Sequence, residues 1–212
     1  INNKANISSA NIKVEDNVSR AEADVIDGYN TAGGTVTLTS ITDTVSDVTA
    51  VNSNTNISLA NAAITITDPA SLSDANAINL MTEGKVTLNS VADTYANIQE
   101  VKKISDAQVD MGAAAVRVTN NITKSEVDDL LTDTNGKITV DSITEDKTDL
   151  STINDNANVI ISTANIIVTD ITNLDNVEII NRYTTGEVTL NIVSDKFANV
   201  QSIHNLKPTT DG

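Results

Sequence analysis

Four copies of one unit, each about fifty residues long, run through the chain, and this periodicity constrains the fold more than any other feature. The apolar pairs Ile12/Val14, Ile64/Ile66, Val116/Val118 and Ile166/Val168 recur at spacings of 52, 52 and 50 residues. A second marker follows each of them, as Val36-Thr37-Leu38, Val86-Thr87-Leu88, Ile138-Thr139-Val140 and Val188-Thr189-Leu190, at spacings of 50, 52 and 50. Two independent markers in register divide the chain into repeats 12–63, 64–115, 116–165 and 166–212, with 1–11 as the end of a preceding repeat.

Each copy carries the same local instructions. The Ile-x-Val pair is β-branched and alternating, which predicts a short strand. Two residues on stands Asp16, Asp68, Asn120 or Asp170, read as turn residues because Asn and Asp share that role. A helix start follows: Ser19-Arg20-Ala21-Glu22, Ser71-Leu72-Ser73-Asp74, Thr123-Lys124-Ser125-Glu126 and Thr172-Asn173-Leu174-Asp175 all have the spacing of a capping box. Seven residues after each cap, Ile26, Ile78, Leu130 and Ile179 fall two turns along, on the predicted inner face, with support from Val25, Ala75, Leu80, Val127, Leu131, Val177 and Ile180. Gly34, Gly84, Gly136 and Gly186 are read as the stop, where a left-handed residue ends the helix and turns the chain.

The Val-Thr-Leu strand leads into a second, shorter helical pattern. Asp43, Asp93, Glu145 and Asp195 stand at its start, where an acid complements the helix dipole. The apolar stripe reads Val45, Val48, Val51; Tyr95, Ile98, Val101; Leu150, Ile153; and Phe197, Val200, Ile203, with Lys147 interrupting it in the third copy. Ile57/Leu59, Val109/Met111 and Val159/Ile161 suggest a third short strand in each unit.

Strands alternating with helices predict parallel strands joined by crossovers. No unit can bury its apolar face alone, so neighbours must stack, and the expected fold is an α/β tandem-repeat solenoid of strand–helix–strand–helix units with right-handed connections. The alternative is a string of small α+β modules. Against it, no Pro/Gly-rich linker separates the copies, and Pro69 and Pro208 are the only prolines.

Composition excludes several functions. A formal charge of −16 argues against nucleic acid or an anionic membrane as partner, since both require a basic footprint. Absence of cysteine rules out thiol catalysis and zinc–cysteine sites. Only one Phe and three Tyr are present, too few for the stacking platforms that hold sugars or bases. No apolar run is long enough to span a bilayer. No signal peptide precedes Ile1, and both termini read as cut from something longer.

The stretch from Ser71 to Leu88, SLSDANAINLMTEGKVTL, and Val91-Ala92-Asp93-Thr94-Tyr95-Ala96-Asn97-Ile98 resemble units of very long repetitive bacterial proteins. These are secreted surface proteins of the S-layer-like and hemolysin-type adhesin kinds, and comparable units occur in some phage tail fibres. The resemblance runs through all four copies, best in the second and fourth. It implies export, by a type I route, and a place at the bacterial cell surface. The calcium nonapeptide G-G-x-G-x-D of the hemolysin-type proteins is absent, so calcium binding by that motif is not implied.

Individual residues offer little chemistry. His204 is the only histidine and reads as an exposed polar position, which leaves no multi-histidine metal site and no convincing Ser–His–Asp triad. The column Asp43, Asp93, Glu145, Asp195 could hold calcium, but the simpler reading is four helix-start acids, because calcium wants six or more converging oxygens. Asn6, Asn17, Asn56 and Asn121 match the glycosylation sequon, as an Asn/Ser/Thr-rich chain does by chance. Arg182-Tyr183 and Lys102-Lys103 are the only candidate recognition patches. With no phosphate loop, nucleophile elbow or His-Glu-x-x-His, the chain reads as no enzyme, with no catalytic, cofactor or metal residue assigned.

The expected role is a non-catalytic structural segment of an extracellular or cell-surface protein, in a surface layer, sheath or filament. The alternative is an adhesin or tail-fibre segment that binds a glycan or protein. Expected partners are further copies of the chain or flanking repeats. Ile7, Ile12 and Val14 at one end, and Phe197, Val200 and Ile203 at the other, continue the ordinary repeat pattern with no polar cap. The isolated chain should therefore associate end to end, more strongly as salt screens its charge.

Overall fold

A computed structural model describes residues 6–105 and 108–206. The first copy supplies β1 (Ile12–Val18), α1 (Arg20–Tyr29), β2 (Val36–Asp43), α2 (Val45–Asn52) and the short β3 (Ile57–Ser58). The second supplies β4 (Ala63–Ala70), α3 (Leu72–Asn79), β5 (Val86–Asp93), α4 (Tyr95–Ser105) and β6 (Val109–Asp110). Next come β7 (Ala115–Ile122), α5 (Lys124–Asp133), β8 (Ile138–Glu145), α6 (Lys147–Asn154) and β9 (Val159–Ile160). The fourth copy contributes β10 (Asn165–Thr172), α7 (Leu174–Ile180), β11 (Val188–Val193) and α8 (Phe197–Asn205). The chain is an α/β protein whose strands are parallel and alternate with helices. It falls into two compact units, Ile1–Val91 with Ala96–Ala113, and Ala92–Tyr95 with Ala114–Gly212.

In the first unit the strands lie in the order β1-β2-β4-β5, with β3 beside β2 and β6 beside β5. In the second the order is β7-β8-β10-β11, with β9 beside β8. The two sequence markers are paired neighbours: Ile12 faces Val36 and Val14 faces Leu38, as Ile166 faces Val188 and Val168 faces Leu190. The far half of each Val-Thr-Leu strand then pairs with the next Ile-x-Val strand, Ile41 with Ile64 and Ile143 with Ile166. Val36, Leu38, Ile41, Ile64, Ile66, Ile138, Val140, Ile143, Ile166 and Val168 are at most 1% exposed and form the cores. Each such side chain contributes about 1.5–3 kcal/mol by leaving water.

Every Ile-x-Val strand contains a one-residue bulge after its second apolar residue. In β1 the register passes from Val14↔Leu38 to Asn17↔Ser40, and β4, β7 and β10 slip at the same place. Pro69 directly follows the bulge of β4, opposite Ser90, and proline is tolerated in a sheet beside such a bulge. Asp16, Asp68, Asn120 and Asp170 therefore sit within strands rather than in turns, correcting the turn reading. A bulge swings the backbone and re-aims the extra side chain.

The inner faces of the long helices need three further corrections. Their buried positions lie four and seven residues after the cap: Ala23, Ala75/Ile78, Val127/Leu130 and Val177/Ile180, with Ile26 half-buried. Position six after the cap faces outward, so Val25 is 55% exposed. Leu80 is 87% exposed, because α3 has ended and Leu80 is its C-cap. In the fourth copy the cap is Asn173 and not Thr172, which is 1% exposed and fills a core position. That one-residue shift leaves Ile179 at 43% exposure and places Ile180 inside.

The recurrent glycines do not end helices in a left-handed conformation. Among the described residues the only positive φ belongs to Gly33, at 96°. Gly34, Gly84, Gly136 and Gly186 instead lie against a neighbouring backbone. A Cβ would stand 2.1, 2.3, 2.0 and 2.3 Å from the carbonyl oxygens of Ala10, Ala62, Ala114 and Ala164 respectively. Glycine is required there for close approach, not for its φ.

Short helices form where the spacing predicts. The stripe is buried in the first three copies, whereas in the fourth Phe197 is 84% and Val200 40% exposed. Val48, Val51, Ile98, Val101, Leu150 and Ile153 are at most 2% exposed. Lys147 does not disturb α6, because it occupies the first turn and its Nζ donates to Asn176 Oδ1 at 3.1 Å. Among the described residues no helix is long and apolar enough to cross a membrane.

Candidate functional site

A helix N-terminus exposes backbone N–H groups that no intrahelical carbonyl can satisfy. Two sources serve them here. One is local: Ser19, Ser71, Thr44, Asp146 and Asn173 accept from the amide three residues on, and Glu22, Asp74 and Glu126 return bonds of 2.8–2.9 Å to the cap amides. The other comes from the adjacent strand of the sheet, and it uses both acidic columns singled out in the sequence.

The bulge residues serve the short helices. Asp68 Oδ1 accepts from Val45 N at 2.8 Å, Asn120 Oδ1 from Tyr95 N at 2.8 Å and Asp170 Oδ1 from Lys147 N at 3.2 Å. The strand-end acids serve the long helices. Asp43 Oδ2 accepts from Arg20 N at 2.8 Å, Asp195 Oδ2 from Leu174 N at 2.9 Å, and Glu145 from Lys124 N. Each of these acceptors reaches the first helical amide of a helix 21 to 25 residues earlier in the chain. The expected role, an acid at the start of its own helix, holds for Asp43 and Asp195, whose other oxygens accept from Thr44 N at 2.9 Å and Lys196 N at 2.7 Å. The sheet adds a second role, since each strand-end acid here also serves the helix before it. Asp and Asn interchange at the bulge because only an oxygen acceptor is needed.

These contacts set the local electrostatics. The Leu174 amide, then those of Lys196 and the Asn199 side chain, hold Asp195 below the usual carboxylate range. Ser19 does the same for Glu22, and the Arg20 guanidinium, 2.9 Å away, for Asp47. Burial, with the Asp129 carboxylate accepting its hydroxyl proton at 2.9 Å, pushes the Tyr95 phenol up to about 12.

A second recurrent cluster escaped the sequence reading. Thr82, Thr134 and Thr184 are buried, and each Oγ1 donates to the carbonyl of Ala62, Ala114 or Ala164 at 2.6 Å. The same oxygens accept from Gly84, Gly136 and Gly186 N at 2.8–2.9 Å. The clasp joins the helix-to-strand loop to the neighbouring loop at the point where glycine permits contact. Its signal was present as Thr-x-Gly in three copies: Thr82-Glu83-Gly84, Thr134-Asn135-Gly136 and Thr184-Thr185-Gly186. In the first copy Asn30 Oδ1 takes over, accepting from Gly34 N at 3.0 Å.

The remaining candidates stay apart. His204 is exposed on α8, and Lys103 pairs with Glu100 on its own helix. Arg182 is exposed, while Tyr183 borders an open depression of about 360 Å³ with Lys147, Ser151, Asp155 and Asn176. Asn17 and Asn121 spend their side-chain oxygens on neighbouring Ser and Thr hydroxyls. Among the described residues no three His, Cys, Asp or Glu side chains converge as a metal site would require. No family model, curated protein or solved structure matches the chain.

Proposed function

We propose that the chain is a non-catalytic structural repeat segment of a bacterial cell-surface or extracellular protein, part of a surface layer, sheath or filament, and that its repeats stack as one solenoid. The observation that carries this reading is the use of the recurrent polar residues. Asp43, Glu145, Asp195, Asp68, Asn120 and Asp170 all hold one strand–helix turn to the next. A chain whose periodic carboxylates and hydroxyls are consumed in stacking is built for length and cohesion. The role needs no resident cofactor, and self-association extends the stack.

Antibody against this chain, applied to intact and permeabilised cells of its source, tests the reading. Labelling of intact cells, continuous along a layer or filament, is expected. Label confined to permeabilised cells would overturn it.

A further inference from the structure

We propose that Asn135 is a site of spontaneous modification, deamidation through a cyclic imide with Gly136, and that the Thr134 clasp is the gate that holds it closed while the third copy stays folded. The proposal goes beyond the structural role above and does not depend on it.

The chemistry starts in the sequence. Asn135-Gly136 is the only Asn-Gly pair in the chain. At the equivalent place the other copies carry Gly33, Glu83 and Thr185, none with a side-chain amide. In such a pair the glycine nitrogen attacks the asparagine Cγ, and the missing Cβ makes glycine the least hindered nucleophile. The N–Cγ bond forms, the Cγ–Nδ2 bond breaks, and the Gly136 amide proton leaves with the amino group as ammonia. Water then opens the imide at either carbonyl. One opening gives aspartate. The other gives isoaspartate, in which the main chain runs through Cγ and is one methylene longer.

The folded chain offers one reactant and withholds the other. Asn135 is exposed, and its side chain makes no hydrogen bond among the described residues. Gly136 is held from two sides. Its N–H donates to Thr134 Oγ1 at 2.9 Å, which retains the proton that the attack must remove. On its other side a Cβ would meet Ala114 O at 2.0 Å and Ala115 N at 2.9 Å, so the backbone has no room to shift there. Thr134 is itself fixed, 4% exposed and donating to Ala114 O at 2.6 Å. Close packing thus demands the glycine that makes the pair reactive, and the threonine beside it supplies the restraint. Once isoaspartate forms, the added methylene separates Thr134 from Gly136 and the clasp cannot reclose. The modification is a one-way record of opening in the third copy.

The tryptic peptide 125–137 contains Asn135 as its only side-chain amide, so its mass reports on one residue. The full chain is incubated in heavy-oxygen water at neutral pH, and incorporation of the label into that peptide is followed by mass spectrometry. Labelling should be slow in the folded parent and fast in the urea-unfolded chain. Thr134→Val removes both bonds of the clasp and should speed labelling about thirty-fold, equivalent to about 2 kcal/mol. Thr134→Ser keeps the hydroxyl and should label as the parent does. Thr184→Val opens the same clasp in the fourth copy and should leave Asn135 unchanged, which separates the gate from general weakening. In the parent, labelling at sub-denaturing urea should rise in step with hydrogen exchange at Gly136 N, because both need that bond open. The parent measurements decide the matter even where Thr134→Val does not fold. Equal rates in the folded and unfolded parent, labelling that ignores exchange at Gly136, or a folded Thr134→Val chain no faster than the parent would overturn the gate. So would a Thr184→Val effect as large as that of Thr134→Val.

Discussion

Replacing Gly136 by Ala adds one methyl group where the structure has no room for it. The new Cβ would lie 2.0 Å from Ala114 O, 2.5 Å from its carbonyl carbon and 2.9 Å from Ala115 N. All three are backbone atoms, so no flexible side chain can yield. Restoring an ordinary contact of about 3.4 Å requires the two loops to part by about 1.4 Å. That movement breaks the 2.6 Å bond from Thr134 Oγ1 to Ala114 O, inside a buried site. Overpacking costs about 1–3 kcal/mol, and a lost buried hydrogen bond about another 1 kcal/mol. We expect a loss of about 3 kcal/mol, a large part of the 5–15 kcal/mol typical of a domain. Urea unfolding followed by circular dichroism should register it as a midpoint lower by about 1.5 M, for a slope of about 2 kcal/mol/M. Gly28→Ala is the control: nothing lies within 4 Å of its Cβ, in helix α1. There the same methyl group should stabilise by up to about 1 kcal/mol. If Gly136→Ala unfolds with the parent, or moves in the same direction as Gly28→Ala, close approach is not the reason for the glycine.

Asp at Ile78 or Ile180, both 0% exposed, buries an unpaired charge and should cost about 3 kcal/mol or more, while Ile179→Asp should be nearly neutral. Thermal melts of the Ile179 and Ile180 variants decide the register of the fourth helix. The depressed carboxylates make stability fall in acid: Asp195 and Glu22 contribute fully above their unfolded values of 3.8 and 4.5, and the contribution is lost as pH falls through the lower folded values. Asp195→Asn keeps an acceptor for Leu174 N, so its melting temperature should depend less on pH than the parent's between about pH 6 and pH 3. Ultraviolet titration should find a phenol ionising near 12 that Tyr95→Phe removes; an unchanged titration curve would contradict the Tyr95–Asp129 hydrogen bond.

Local chemistry was enough to read the strands, the helices and their alternation, because the signals are local. β-branched pairs mark strands, Ser-x-x-Glu marks a helix start, and a period of fifty to fifty-two residues aligns the copies. The cap of the fourth helix escaped because Thr172 and Asn173 both resemble caps, and only burial of Thr172 separates them. The purpose of the acids, glycines and threonines had to wait for the tertiary structure. Asp68 could be paired with Val45, or Gly84 with Ala62, only once register had brought together residues about twenty apart. A bulge of one residue, invisible in composition, turns Asp170 toward another helix. Stacking geometry is a property of neighbours, and no single repeat contains it.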